Sequence, residues 1–130
     1  METKSILLST SDYKFLTEHL DKAIMSDYNK NRLKNEVKNA KVYDDIDLPD
    51  DVVSLYTEAK IESTENNQQF VFKLVLPKDA NIKQQKVSIF APISIALLGY
   101  QTGDLIQWEM PDGIKAFKII SIRKLLEEER

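Results

Sequence analysis

Two groups of charged side chains invite a chemical reading. Residues 44–51, DDIDLPDD, place five aspartates in eight positions, the raw material for an oxygen-ligand cation site. A calcium loop, however, wants oxygen donors at alternating positions, a turn glycine at the sixth and a closing glutamate at the twelfth. Counted from Asp45, the fifth position is Pro49, and neither the glycine nor the glutamate falls in place. The segment therefore reads as a solvated hinge. The second group is Lys30, Lys34, Lys38 and Lys41, with Arg32 nearby, at helical spacing. Such a stripe suits an acidic wall or a phosphate backbone, although like charges at i, i+4 repel slightly. An ordinary solvated face beside the Leu33/Val37/Ala40 seam is the favoured reading.

Nothing else assembles an active site. His19 is the single histidine and there is no cysteine, so histidine and thiolate metal sets, disulfides and a cysteine nucleophile are all excluded. Ser88 and Ser94 have no base in sequence reach, and three glycines are too few for a phosphate-cradling loop. No catalytic residue, no metal ligand and no cofactor is expected.

The elements that must position any function fall into two blocks. Residues 11–25 carry Tyr13, Leu16, Leu20, Ala23 and Ile24 at helical spacing, with Ser11 or Asp12 as the cap. SDYN (26–29) breaks the pattern, and a second helix runs over 30–42. So short a turn predicts an antiparallel helical hairpin, each arm about 20 Å long. From Val52 the apolar period becomes two: strands are expected at 52–63, 70–77, 86–91, 104–110 and 114–122. Pro111-Asp112-Gly113 makes a tight hairpin between the last two, and the LLEEER tail reads as a frayed end or a short helix. A hairpin of helices followed by an antiparallel sheet is an α+β fold. Residues 1–48 form the helical hairpin with its acidic hinge, and 49–130 the sheet domain.

Between the third and fourth strands lies APISIALLGYQTGD (91–104). Pro92 is pre-set for a first helical position, Gly99 for a left-handed helix end and Gly103 for the turn into the next strand. Ile93, Ala96 and Leu97 give this short helix one apolar face for the sheet. The aromatic residues Tyr56, Phe70, Phe72, Phe90, Trp108 and Phe117 fit a sheet core or an apolar pocket equally well.

At 130 residues the chain fits one domain with a small appendage, and 42% apolar residues suffice for one core. The net charge of −3 argues against a stand-alone nucleic-acid binder. Ile6-Leu7-Leu8 is too short for a signal sequence, and no apolar run approaches a membrane span, so a soluble, cytoplasmic protein is expected.

Two stretches, LPDDVVSLYTEAKI (48–61) and VSIFAPISIALLGYQTGDLIQWEMPDG (87–113), strongly resemble the C-terminal domain of the GreA/GreB transcription elongation factors. The ordering AP-I-xx-ALLG-xxx-GD-x-I-x-W-xx-P-x-G runs without a gap from Ala91 to Gly113. Within the family the chain is most similar to the Rnk subfamily, whose members begin with a shortened helical hairpin. The resemblance covers residues 48–122 clearly and residues 10–42 in architecture only.

The resemblance implies an FKBP-like twisted antiparallel sheet with a short helix, preceded by a coiled-coil hairpin. It also implies RNA polymerase as the partner, docked at the rim of the secondary channel, with no membrane and no sequence-specific nucleic-acid contact. The loop entering the short helix belongs to the docking edge, here Phe90, Pro92, Ile93 and Ser94; Phe90 stands where some members carry an acid. Cleavage-stimulating members hold Mg²⁺ with paired acids at the hairpin tip. Here the tip is Asp27, Tyr28 and Asn29, with one acid and Lys30 beside it. The expectation is a monomeric, non-catalytic polymerase-binding regulator without transcript-cleavage stimulation. Two alternatives stay open: a Gre-type cleavage factor using Asp27, and an FKBP-like prolyl isomerase.

Overall fold

The computed structural model describes residues 5–130 and is α+β. The first block is β1 (Leu7–Ser9), α1 (Thr10–His19), a 3₁₀ turn (Leu20–Lys22), α2 (Asp27–Lys38) and β2 (Lys41–Tyr43). Both helices start earlier than the spacing alone predicts, because serines cap them. Ser9 Oγ accepts the Asp12 N–H at 3.0 Å, and Ser26 Oγ accepts the Asn29 N–H at 3.2 Å. The first helix also stops at His19 rather than Met25, and residues 41–43, the first two of them expected as helix, pair in parallel with β1. Asp45 in the acidic hinge acts as a remote second cap. Its carboxylate accepts the Ser11 N–H at 3.3 Å and the Ser11 hydroxyl at 2.6 Å, which holds its pKa low.

The second block is a curled five-stranded sheet in the order β5-β4-β3-β7-β6. Its members are β3 (Thr57–Ser63), β4 (Gln69–Val75), β5 (Lys86–Ser88), β6 (Leu105–Met110) and β7 (Gly113–Lys124). β3 keeps strict alternation, burying Thr57, Ala59, Ile61 and Ser63. The expected strand over 52–63 is cut short because Tyr56 takes a left-handed φ of 66°. β5 pairs in parallel with β4, where the periodicity suggested an antiparallel sheet throughout. Two 3₁₀ turns and a left-handed Gln85 (φ 61°) bring the chain back in the same direction. In β7 the register shifts: Lys60 faces Ser121 but Ile61 faces Ile119. Ile120 is the extra residue of this bulge, so Ile119 and Ile122 both reach the face shared by Ala59 and Ile61. The LLEEER tail ends in a 3₁₀ turn (Glu127–Glu129), whose Glu129 and strand residue Glu58 both grip the Arg123 guanidinium.

α3 (Pro92–Leu97) is shorter than the eight residues from Pro92 to Gly99, and it is buried on more than one face. Ile93, Ala96 and Leu97 face the sheet, while Ile95 faces the end of α1. One core therefore runs through both blocks, with Ile6, Leu8, Leu16, Leu20, Leu33 and Val37 in the same cluster as Ala59, Leu74, Ile95 and Ile119. Gly99 (φ 88°) is the crossing point. Its carbonyl accepts the Leu7 N–H at 2.9 Å and its N–H donates to Val53 O at 2.9 Å. A Cβ there would sit 2.9 Å from Leu8 Cδ2 and 3.1 Å from the Leu7 carbonyl oxygen.

Two stability predictions follow from the buried N-terminal strand and helix. Gly99→Ala combines left-handed strain with a clash on β1 and should cost ~3 kcal/mol in urea unfolding. Gly103→Ala, with φ 91° and nothing within 4 Å, should cost only ~1 kcal/mol. Asp12 is 6% exposed, one of its oxygens lacks a partner, and burial raises its pKa from 3.8 to about 6. The native state thus binds the proton more tightly than the unfolded chain, so this group's contribution falls as pH rises from about 4 to 6. Asp12→Asn should match the parent near pH 4 and exceed it by about 3 kcal/mol at pH 7; equal stability at both pH values would refute the assignment.

Candidate functional site

The docking edge expected at residues 90–94 divides into exposed and buried members. Phe90 (47% exposed) and Pro92 face solvent, and Ile93 is half-buried beneath them. Ser94 is wholly buried: its hydroxyl donates to the Ser88 carbonyl at 2.7 Å, and Ser88 Oγ accepts the Phe90 N–H at 3.1 Å. It cannot touch a partner as the sequence suggested; it ties α3 to the end of β5 and so sets the Phe90 loop.

Between α3 and the sheet lies a cleft of about 430 Å³. Pro92, Ile93, Ala96 and Leu97 form one wall; Ile61, Phe70, Phe72, Ile106, Trp108, Met110 and Phe117 form the other. Every lining residue is apolar. Phe70 and Phe72 stack at 6.4 Å, and Phe117 meets Phe70 edge-on at 6.3 Å. Of the six aromatics read as a possible pocket, Tyr56 lies instead under Arg130 (4.3 Å), and Phe90 packs outside the cleft against Phe15 and His19. The other four line it. The spacing of Ile106, Trp108 and Met110 at every second position of β6 was the signal that could have picked out Met110 and Ile106 as well.

The turn residues Asp27, Tyr28 and Asn29 form the first turn of α2, which rests on the outer edge of β6. Asn29 is 2% exposed and acts as a surrogate strand. Its Nδ2 donates to Glu109 O at 3.1 Å, and its Oδ1 accepts the Glu109 N–H at 2.8 Å. The Tyr28 hydroxyl reaches Gln107 at 3.5 Å, and Asp27 stays exposed. One turn on, Arg32 leaves the lysine stripe and points inward. It donates to the Tyr100 hydroxyl at 2.6 Å and lies about 6 Å from the ring centroids of Tyr100 and Trp108. Glu36, beside it, has its pKa raised by burial despite the pull of Arg32. Arg32 and Glu36 are four apart on one helix, but the contacts to Tyr100, Gln107 and Glu109 could not be inferred from spacing, since they join positions some 70 to 80 residues apart.

The lysine stripe is partly spent within the helical block. Lys34 pairs with the Asp21 carboxylate at 2.6 Å, and Lys30 donates to the Asp21 carbonyl at 3.0 Å. Asp21, the acid before the turn, is thereby held anionic and occupied. Among the described residues no group of three or more acids or histidines could hold a metal ion, and no helix is long and apolar enough to cross a membrane.

These features define an α+β protein with a curled sheet, an apolar cleft under α3, and a two-helix block clipped to one sheet edge. A family model described as "Transcription elongation factor, GreA/GreB, C-term" matches residues 48–124. The chain is 38% identical over 93 residues to the transcription elongation factor GreA of Acetivibrio thermocellus, an alignment covering 72% of this chain and 58% of the relative. It spans, that is, little more than half the length of the GreA sequences it matches. A solved GreA/GreB elongation factor from Nitrosomonas europaea superposes with a TM-score of 0.65 at 29% identity, covering 93% of this chain and 99% of that one. Gfh1 of Thermus aquaticus shares the fold, with a TM-score of 0.53 at 17% identity and the same coverage of each chain. The chain belongs to the GreA/GreB transcription elongation factor family.

Asn29→Ala should strip both hydrogen bonds from Glu109 and destabilise the chain by about 1–3 kcal/mol. Amide exchange should then rise along β6 while the β3 amides stay protected. Uniform exchange across both strands would mean that the amide clip holds nothing in place.

Proposed function

We propose that the chain is an RNA polymerase-binding transcription regulator that docks at the entrance of the secondary channel through the entry of α3. The carrying observation is the exposure of Phe90 and Pro92, with Pro92 walling an all-apolar cleft, at the most family-specific stretch of the sequence. Apolar surface left open in this way is what a protein partner buries. Ile93 and the buried Ser94 hold the loop in shape; Phe90 and Pro92 make the contact.

The regulator acts without stimulating transcript cleavage, in the manner of the Rnk subfamily. Two carboxylates would be needed close together to help hold a hard cation. The α2 start offers Asp27 alone, Asp21 is occupied by Lys34, and Asn29 clips the turn to Glu109. At 10 and 12 residues the two helices are also short, about 15 and 18 Å. The FKBP-like form of the sheet domain belongs to the same reading. The cleft favours one further reading, prolyl isomerisation, because its aromatic lining would accept an apolar peptide. Turnover of a prolyl peptide, lost in Trp108→Ala, is its test.

Immobilised core polymerase should retain the chain, and Phe90→Asp should weaken retention by about tenfold or more. Absence of retention at about 10 µM would overturn the polymerase reading. Added to backtracked elongation complexes, the chain should leave cleavage at its intrinsic rate. An increase that Asp27→Asn abolishes would instead establish the cleavage-factor alternative.

A further inference from the structure

We propose that the polymerase-docking surface continues across Pro92 onto the helical block, where a second apolar hollow takes a second uncharged side chain of the same partner. The proposal rests on the polymerase reading above and extends it to residues outside the family-matched segment.

The hollow, about 390 Å³, lies between the end of α1 and the entry of α3. Ala23, Ile24, Phe90, Pro92 and Ile95 line it together with His19 and Lys22. Pro92 also lines the cleft over the sheet, so the two hollows share one wall. A single continuous partner surface straddling that ridge reaches both. Phe90 is fixed in this position from the helical side: the rings of Phe15, His19 and Phe90 form a closed triangle with centroids 4.9, 5.1 and 5.0 Å apart. The docking edge is thus built jointly by the two blocks.

Ile24 is the residue that singles this hollow out. It is 90% exposed, on the short connection before α2. Two other isoleucines are as exposed, but Ile46 stands between two aspartates and Ile82 beside a lysine, and neither lines this hollow or the cleft over the sheet. Ile24 adds its side chain to a surface that already contains Phe90 and Pro92. Its lining carries one cation, Lys22. The partner patch is therefore apolar at two points, with a carboxylate flanking the one that enters beside Lys22.

The test measures affinity of the full chain for core polymerase at two salt concentrations. Ile24→Asp, at a position too exposed to affect folding, should weaken binding by about tenfold. Lys22→Glu should weaken it several-fold at low salt and less at high salt. Ile82→Asp, equally exposed but remote, should bind as the parent does. If Phe90→Asp weakens binding while Ile24→Asp leaves it unchanged, docking is confined to the α3 entry; the extension fails and the polymerase reading stands. If the parent does not bind, both fall. If the parent instead self-associates in light scattering and Ile24→Asp makes it monomeric, the hollow belongs to a second copy of the chain and the proposal is overturned.

Discussion

The crossing of β1 over Gly99 is the constraint on which the rest of the molecule depends. A strand of three residues would have little stability by itself, and two helices of 10 and 12 residues are marginal alone. At Gly99 the backbone of β1 lies close enough to exclude a Cβ, and one peptide unit serves both blocks: its carbonyl takes Leu7, its N–H gives to Val53. Val53 in turn donates to Tyr100 O, and Ile6 O accepts Lys41 N. The base of the helical block, the end of α3 and the approach to β3 are thus closed by one short ladder. Leu8, Leu98 and Val53, each at most 1% exposed, are buried with it. A side chain at position 99 would separate layers that the core requires to touch.

With the base set at Gly99, the far end of the helical block is set by α2 on β6. β6 is an edge strand, with one row of backbone groups unpaired within the sheet. Asn29 presents an amide with the donor and acceptor spacing of a peptide and closes that edge at Glu109. Arg32, one turn away, reaches between Tyr100 and Trp108 and adds a directional contact where a purely apolar seam would permit sliding. Two of its guanidinium nitrogens are buried without a partner, so its placement costs desolvation and contributes position more than stability. These contacts lay the helices along the sheet edge.

Local physics was legible in the residues themselves. Pro92 at the start of α3, left-handed Gly99 after it, the Pro111-Asp112 turn before Gly113 and the alternation of β3 are each dictated by one backbone preference. What escaped depended on partners distant in sequence. β1 and β2 are three residues long and look helical or shapeless until paired with each other. The bulge at Ile120 hides in a run of apolar residues that satisfies either face. The segment 90–94 was legible as a loop, but which of its residues face out was not. Ser94 and Phe90 are both plausible surface residues by type, and only the Ser88 hydrogen bonds separate them.

The same distant contacts decide the electrostatics of the turn. As a sequence, Lys30 and Lys34 form a cationic stripe next to a lone tip acid. As a structure, both reach back across the turn to Asp21, one to its carboxylate and one to its carbonyl. Exposed ion pairs of this kind add little stability, but they change what the turn can offer: a carboxylate neutralised by a lysine is a poor ligand for an incoming cation. Asp27 stands exposed at a helix start whose dipole already favours its charge. On the same block Ile24 is exposed, and the half-buried Phe15 and His19 rings support Phe90 beside Pro92. The helical block thus ties the lysines at its turn to Asp21 and leaves Ile24 exposed beside Phe90 and Pro92.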